Sequence, residues 1–334
     1  MDKTMGRLMK QYPIIREFLK NYNQEITDSS LTLKEYLDTL DVEELEEFGT
    51  DRDALGRQME DFLGSMNGLE QDKMKVESLT IMGGHTKDME PEHVRLELFP
   101  GDVVSIVGPT GSGKSRLLED IECIAQGDTP TGRHIRINDK AVDVETRFDM
   151  SGKLVAQLSQ NMNFVMDLST EEFLRIHAQS RMCSNPRETA AVCLLCANQL
   201  AGEPFDGKTK VTQLSGGQSR ALMIADTAYM SNSPIVLIDE IENAGVDRLK
   251  AIRLLADQNK IILISTHDPL LAISAQKRIV IKNGGIYKIL ETDSTEQRSL
   301  VRIQQLDTIL FNLRKELRAG HKIKLGGEAY VGTV

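Results

Sequence analysis

Eight consecutive residues, Gly108-Pro109-Thr110-Gly111-Ser112-Gly113-Lys114-Ser115, have the types and order of a phosphate-binding loop. The glycines let successive backbone N–H groups turn inward as a nest for an anion. A helix opening just after the loop adds the positive end of its dipole. Lys114 is then placed to reach the β- and γ-phosphates of a nucleoside triphosphate, and the Ser115 hydroxyl to bind Mg2+. A second stretch supplies carboxylates. The apolar run Ile235-Val236-Leu237-Ile238 ends at once in Asp239 and Glu240. Such a strand brings Asp239 to the metal and Glu240 beside the γ-phosphate, where it can polarise water. Strands ending in acids are common, and it is the pairing with the loop that makes this one informative.

The elements needed to hold these groups are legible as periodicities. Val103 to Val107 is a short apolar run leading into the loop, and Ile261 to Ile264 is another. Buried parallel strands with helices between them read this way. Val76, Leu79 and Ile81, then Val94, Leu96 and Leu98, alternate like half-buried strands. Arg278–Ile281 and Ile286–Leu290, joined at Asn283-Gly284-Gly285, predict a hairpin. The expected fold is α/β: a P-loop core over 74–290, an antiparallel β-subdomain and a helical subdomain over about 168–230.

Residues 1–70 predict a separate helical domain. Met5, Leu8, Met9 and Tyr12 recur at helical spacing, and similar sets follow to Leu63. Asp28-Ser29-Ser30 is the expected cap of the second run, and Ser65-Met66-Asn67-Gly68 the expected linker. Residues 294–334 predict a C-terminal helix and tail. Ser294-Thr295-Glu296-Gln297 forms a capping-box pattern, Leu300, Ile303, Leu306, Leu310, Leu313 and Leu317 share a face, and Gly320 ends the helix. That face suits a dimer contact or packing on its own domain.

Leu214-Ser215-Gly216-Gly217-Gln218 completes a resemblance. Set before a helix, and about twenty residues ahead of the acidic strand, it resembles the signature of the ATP-binding cassette (ABC) ATPases. The resemblance covers roughly residues 75–290. It implies an ATPase acting on ATP with Mg2+ as a head-to-tail homodimer, with Ser215, Gly216, Gly217 and Gln218 meeting a γ-phosphate held by the other subunit. Gln160 matches the glutamine that senses the metal and the attacking water, and so joins Ser115 and Asp239 at the metal. His267 matches the switch histidine that contacts the γ-phosphate. Asn243-Ala244-Gly245-Val246-Asp247 stands in the D-loop place at the dimer contact. Glu240 takes the part of general base. The backbone of 108–115, with Arg116 next to it, makes up the rest of the nucleotide site.

Three departures from the family pattern stand out. No Tyr or Trp precedes the loop where an aromatic usually stacks on adenine, and His85 is the candidate to replace it. Arg116 stands where Ser or Thr is usual, and Ile241 where Pro is usual. The stretch Asp239 to Asp247 looks closer to the soluble ATPase of the Suf iron–sulfur assembly system than to many transporter cassettes.

Bulk composition limits the partners. The net charge is −10, and residues 1–70 carry sixteen Asp/Glu against eight Lys/Arg, a net of −8. Nucleic-acid binding, which wants clustered cations, is not expected. The polar N-terminus shows no signal peptide, and no stretch approaches the ~20 apolar residues of a membrane helix. The expectation is therefore a cytoplasmic protein, peripheral at the membrane if it serves a transporter. Cys183, Cys193 and Cys196 invite a metal reading, but their apolar helical surroundings favour core packing. The acidic run Asp41 to Glu47 reads as a solvated helix face, and the N-terminal domain as a docking module. Two readings of function follow. The favoured one is a soluble ATPase that remodels or matures a partner enzyme, perhaps an iron–sulfur or other metalloenzyme. The alternative is the cytosolic nucleotide-binding subunit of an ABC transporter whose membrane permease is a separate chain.

Overall fold

The computed structural model describes residues 4–12, 15–71, 75–148, 153–159, 164–241 and 246–323. Five helices open the chain: α1 (Met5–Gln11), α2 (Ile15–Lys20), α3 (Leu33–Thr39), α4 (Val42–Glu47) and α5 (Arg52–Gln71). They enclose a core of their own, in which Met5, Ile15, Leu19, Tyr36, Leu45, Leu55 and Met59 are buried. Two details differ from expectation. The cap of α3 is Thr32, whose hydroxyl accepts the Glu35 N–H while Glu35 reaches back to the Thr32 N–H; Asp28 caps only the turn at Ser30. And α5 runs straight through Ser65–Gly68. A glycine in a helix costs only about 1 kcal/mol, too little to end a helix whose first three turns bury Leu55, Met59 and Leu63.

Two sheets follow. The smaller is antiparallel, in the order β2 (Arg95–Leu98), β1 (Leu79–Met82), β4 (His134–Ile137). The larger runs β5 (Val155–Leu158), β6 (Ile235–Asp239), β7 (Ile261–Ser265), β3 (Val103–Val107), β8 (Lys277–Lys282), β9 (Gly285–Glu291). Its first five strands are parallel, and β9 turns back along β8. Asn283 and Gly284 both have positive φ (51° and 83°), as this two-residue hairpin turn demands.

Helix α6 (Lys114–Glu122) lies between the sheets, burying Leu117, Leu118 and Ile121 with Leu79, Ile81 and Leu98 on one side and Val104 and Ile106 on the other. The short α7 (Val144–Phe148) follows. The other face of the large sheet is covered by α10 (Gly216–Tyr229), α11 (Arg248–Asp257) and α12 (Pro269–Ser274). A helical unit of α8 (Thr170–Ser180), α9 (Pro186–Leu200) and α10 has a core of Leu174, Ala178, Cys193, Ala197, Leu222 and Ala225. Cys193 and Cys196 are buried there and Cys183 is half-buried. Burial pushes all three thiols up, away from the thiolate a metal needs.

The chain closes with α13 (Ser294–Arg318), which packs on α12. Its cap is Asp293, which accepts the N–H groups of Thr295 and Glu296, rather than the expected Ser294. Leu306, Leu310 and Leu317 of its apolar face stay at least half exposed. No helix among the described residues is long and apolar enough to cross a membrane.

One buried cation gives a pH test of this packing. Lys260, just before β7, is 6% exposed, and its Nζ donates to the Ser231 and Ser233 carbonyls at 2.8 and 2.9 Å. Burial brings its pKa down to about 8. An unfolded lysine titrates near 10.4. Between those values the unfolded chain binds more protons, so this group adds a rise of stability with pH. The thermal midpoint of the wild type should therefore climb relative to Lys260→Met between pH 7.5 and 9.5. Parallel midpoints would remove Lys260 as a source of pH dependence.

Candidate functional site

Three neighbouring parallel strands, β6, β7 and β3, end at one edge of the large sheet, the edge where open α/β sheets bind ligands. From β3 the chain enters Gly108–Gly113 and then α6. Gly113 is the N-cap of that helix with φ 110°, and a Cβ there would stand 3.0 Å from Gly284 Cα. Both the left-handed backbone and the close approach require glycine. Lys114 is the first residue of the helix, and its Nζ folds back to the Gly108 carbonyl at 2.9 Å. The Ser112 hydroxyl is buried with no hydrogen-bond partner among the described residues. An unsatisfied buried hydroxyl in a loop of this kind fits a phosphate group. Ser115 is exposed on the first turn of α6. Arg116 points elsewhere, pairing with Glu119 at 2.7 Å on the helix surface.

From β6 come Asp239 and Glu240. Asp239 lies opposite Ser265 of β7 in the parallel register. Glu240 has φ 48°, a left-handed backbone in a residue that is not glycine, and its N–H donates to the Ser265 carbonyl at 3.0 Å. Such strain costs on the order of 1–3 kcal/mol and collects at functional sites. From β7 comes His267. Its Nδ1 stands 3.9 Å from Glu240 Oε1, and its side chain is 61% exposed. The Thr266 N–H donates to the Ile106 carbonyl at 3.1 Å, tying this loop to the strand that feeds the phosphate loop.

The Ser215–Gln218 stretch belongs to the helical unit. Ser215 caps α10, accepting the Gln218 N–H, while the Gln218 side chain takes the Ser215 N–H at 2.9 Å. Gln218 Nε2 also donates to the Glu203 carbonyl at 3.2 Å. This capping box fixes the open N-terminus of a fourteen-residue helix, with Ser215 and Gly216 exposed. An exposed helix start with oriented N–H groups can take an anion from another subunit. Gln160 and Asn243-Ala244-Gly245 lie outside the described residues.

Three contacts had no sequence signal in the loop itself. The turn Thr86–Met89 and the hairpin turn Asn283–Gly284 together clamp the phosphate loop. Lys87 Nζ donates to the Gly111 carbonyl at 2.9 Å, and the Lys87 N–H donates to the Asn283 carbonyl at 2.9 Å. The Gly284 N–H donates to the Ser112 carbonyl at 2.7 Å. His85, the proposed stand-in for the missing aromatic, is half-buried. Its Nδ1 is 3.1 Å from the Thr86 carbonyl, and its ring lies against Gly132. The ring thus packs against the turn before β4, and Lys87 is the exposed side chain by which the His85 loop reaches the phosphate loop.

The sequence profile of the ABC transporter family matches residues 91–243. A Methanocaldococcus jannaschii protein described as an uncharacterized ABC transporter ATP-binding protein is 47% identical over 251 residues, spanning 75% of this chain and 96% of that one. The macrolide export ATP-binding/permease protein MacB of Hahella chejuensis is 30% identical over 208 residues, 58% of this chain and 30% of MacB. Among solved structures, a subunit of the ABC transporter complex cbiONQ from Clostridium perfringens superposes with a TM-score of 0.51 at 18% identity. It covers 73% of this chain and all of that subunit, and so shares the fold.

Proposed function

The chain belongs to the ATP-binding cassette family and is an ATPase that uses Mg-ATP, and from that premise we propose that it is the nucleotide-binding subunit of an ABC transporter, closing as a head-to-tail homodimer on two ATP molecules. The observation that carries the hydrolytic part is the meeting of the phosphate loop, Asp239–Glu240 and His267 at one edge of the sheet. The loop backbone and Lys114 hold the phosphates. Ser115 and Asp239, with Gln160, would hold the magnesium, which would supply positive charge to offset that on the phosphate oxygens. Glu240 takes a proton from water as its oxygen attacks the γ-phosphorus, and ADP leaves. His267, beside Glu240, holds the γ-phosphate in line. Ser215–Gln218 of one subunit closes over the phosphate bound by the other.

Of the two readings of the sequence, the relatives support the transporter subunit. Both the M. jannaschii protein and MacB are named for transport. The Suf-like stretch that favoured a maturation ATPase lies partly outside the described residues. In this reading the five N-terminal helices, with their acid surplus, are a docking module for the membrane partner or its regulator.

An affinity capture from native cells tests the assignment, using Glu240→Gln protein held closed by Mg-ATP. A polytopic membrane protein should be recovered. Recovery of soluble enzyme subunits with no membrane chain would overturn the transporter reading and restore the maturation one.

A further inference from the structure

The C-terminal helix reaches the loop that carries His267. It does so through the second of two ion pairs on one stripe of α13. Arg278 of β8 donates to Glu296 Oε1 at 2.6 Å, and Arg248 of α11 donates to Asp307 Oδ2 at 2.7 Å. The two acids are eleven residues apart, about three turns at 3.6 residues each, so they face the same way. Arg248 uses its other terminal nitrogen, Nη1, on Asp268. Asp268 directly follows His267 and organises its loop. Its Oδ1 accepts the N–H groups of Leu270 and Leu271 at 2.7 and 3.3 Å, capping α12. Its own N–H donates to Thr266 Oγ1 at 3.0 Å. Arg248 and Asp268 are each 15% exposed and Asp307 34%, so the chain of charges is largely shielded from solvent.

We propose that Asp307 is a positioning residue for ATP hydrolysis: through Arg248 and Asp268 it sets the loop on which His267 faces Glu240, and α13 is thereby a regulatory element whose displacement slows turnover. This rests on the roles given above to Glu240 and His267. The guanidinium is a rigid planar fork, and two carboxylates at two of its nitrogens fix its plane. With Asp307 neutralised, Asp268 alone among the described residues holds the fork. The fork can then rotate and carry Asp268 with it, and Asp268 is the anchor of Thr266-His267-Asp268. A shift of about 1 Å at a reacting group can cost up to ~100-fold in rate, so partial loosening should cost less. The phosphate loop at 108–115 is untouched by the change, so the effect falls mainly in kcat.

The test is steady-state ATP hydrolysis by the full chain. Asp307→Asn keeps the shape and removes the charge, and kcat should fall about five- to tenfold while KM stays within about twofold. Asp307→Glu, which restores the charge, should recover most of the loss. A kcat for Asp307→Asn within about twofold of wild type overturns the relay, as does a joint loss of kcat, KM and thermal midpoint, which marks a role in folding only. Absence of turnover in the wild-type chain overturns the catalytic roles and the relay together. Wild-type turnover with Asp307→Asn unaffected overturns the relay alone.

Discussion

Glu240→Gln should arrest turnover while leaving nucleotide binding intact: kcat should fall by about 10²- to 10⁴-fold, the usual contribution of a general base, and the variant should accumulate as a dimer with Mg-ATP. The substitution is close to a pure test of chemistry. Glutamine has the same length as glutamate and inherits the same left-handed backbone at φ 48°, so the strain is unchanged. The bond that holds the residue, from its N–H to the Ser265 carbonyl at 3.0 Å, is a backbone bond and survives. What is lost is a carboxylate able to accept a proton from water, next to His267 Nδ1 at 3.9 Å. The phosphate loop, Lys114 and Ser115 are on a different strand and helix and keep their grip. Phosphate release measures the first effect, and size-exclusion chromatography with and without Mg-ATP the second. Hydrolysis within about tenfold of wild type would take the role of base away from Glu240.

Much of this site was legible because each part is local in sequence. A phosphate loop is eight adjacent residues between an apolar strand and a helix, and steric rules alone select its glycines. The acids at 239 and 240 close an apolar run, and the histidine at 267, just past another, takes its role from the family resemblance. Ser215–Gln218 reads as a helix start from residue types, and its capping box was there to be seen in Ser215 and Gln218 three apart. What was not legible is held by contacts distant in sequence. Nothing in Thr86-Lys87-Asp88 announces that Lys87 will cross to the carbonyl of Gly111, twenty-four positions away. Nothing in Asp307 announces Arg248, fifty-nine positions back. The misplaced caps have a simpler reason. Asp, Ser and Thr cluster at helix starts, and tertiary packing decides which of them takes the cap: Thr32 over Asp28, and Asp293 over Ser294.

The least legible residue of all is Arg133, an arginine with no exposed surface, and its loss should be the most damaging to the fold. Its Nε and Nη2 meet the two oxygens of Glu92 at 2.9 and 2.7 Å, and its Nη1 meets Asp120 of α6 at 2.9 Å. Nη2 also donates to the Gly284 carbonyl at 2.7 Å, in the turn that clamps the phosphate loop. Glu92 itself accepts the N–H groups of Gly84 and Ile286. The cluster thus ties the small sheet, the helix after the phosphate loop and the hairpin together. Removing one member of such a buried group leaves charges without compensation, which costs about 3–5 kcal/mol. Arg133→Met should show that loss in urea unfolding at pH 7, and adding Glu92→Gln should recover part of it by removing one stranded charge. The pH dependence follows from the carboxylates. In the wild type, burial would push the Glu92 pKa up, but the bonds from Arg133, Gly84 and Ile286 hold it below its ordinary value. That stabilisation is present above the unfolded pKa of about 4.3 and is lost as pH falls through the lowered folded value. Without Arg133, burial dominates and the folded pKa rises, so a proton relieves the stranded charge. The gap between wild type and Arg133→Met should therefore narrow between pH 7 and pH 5. A loss below about 1 kcal/mol, or a gap that widens on acidification, would mean that the arginine fills space more than it compensates charge.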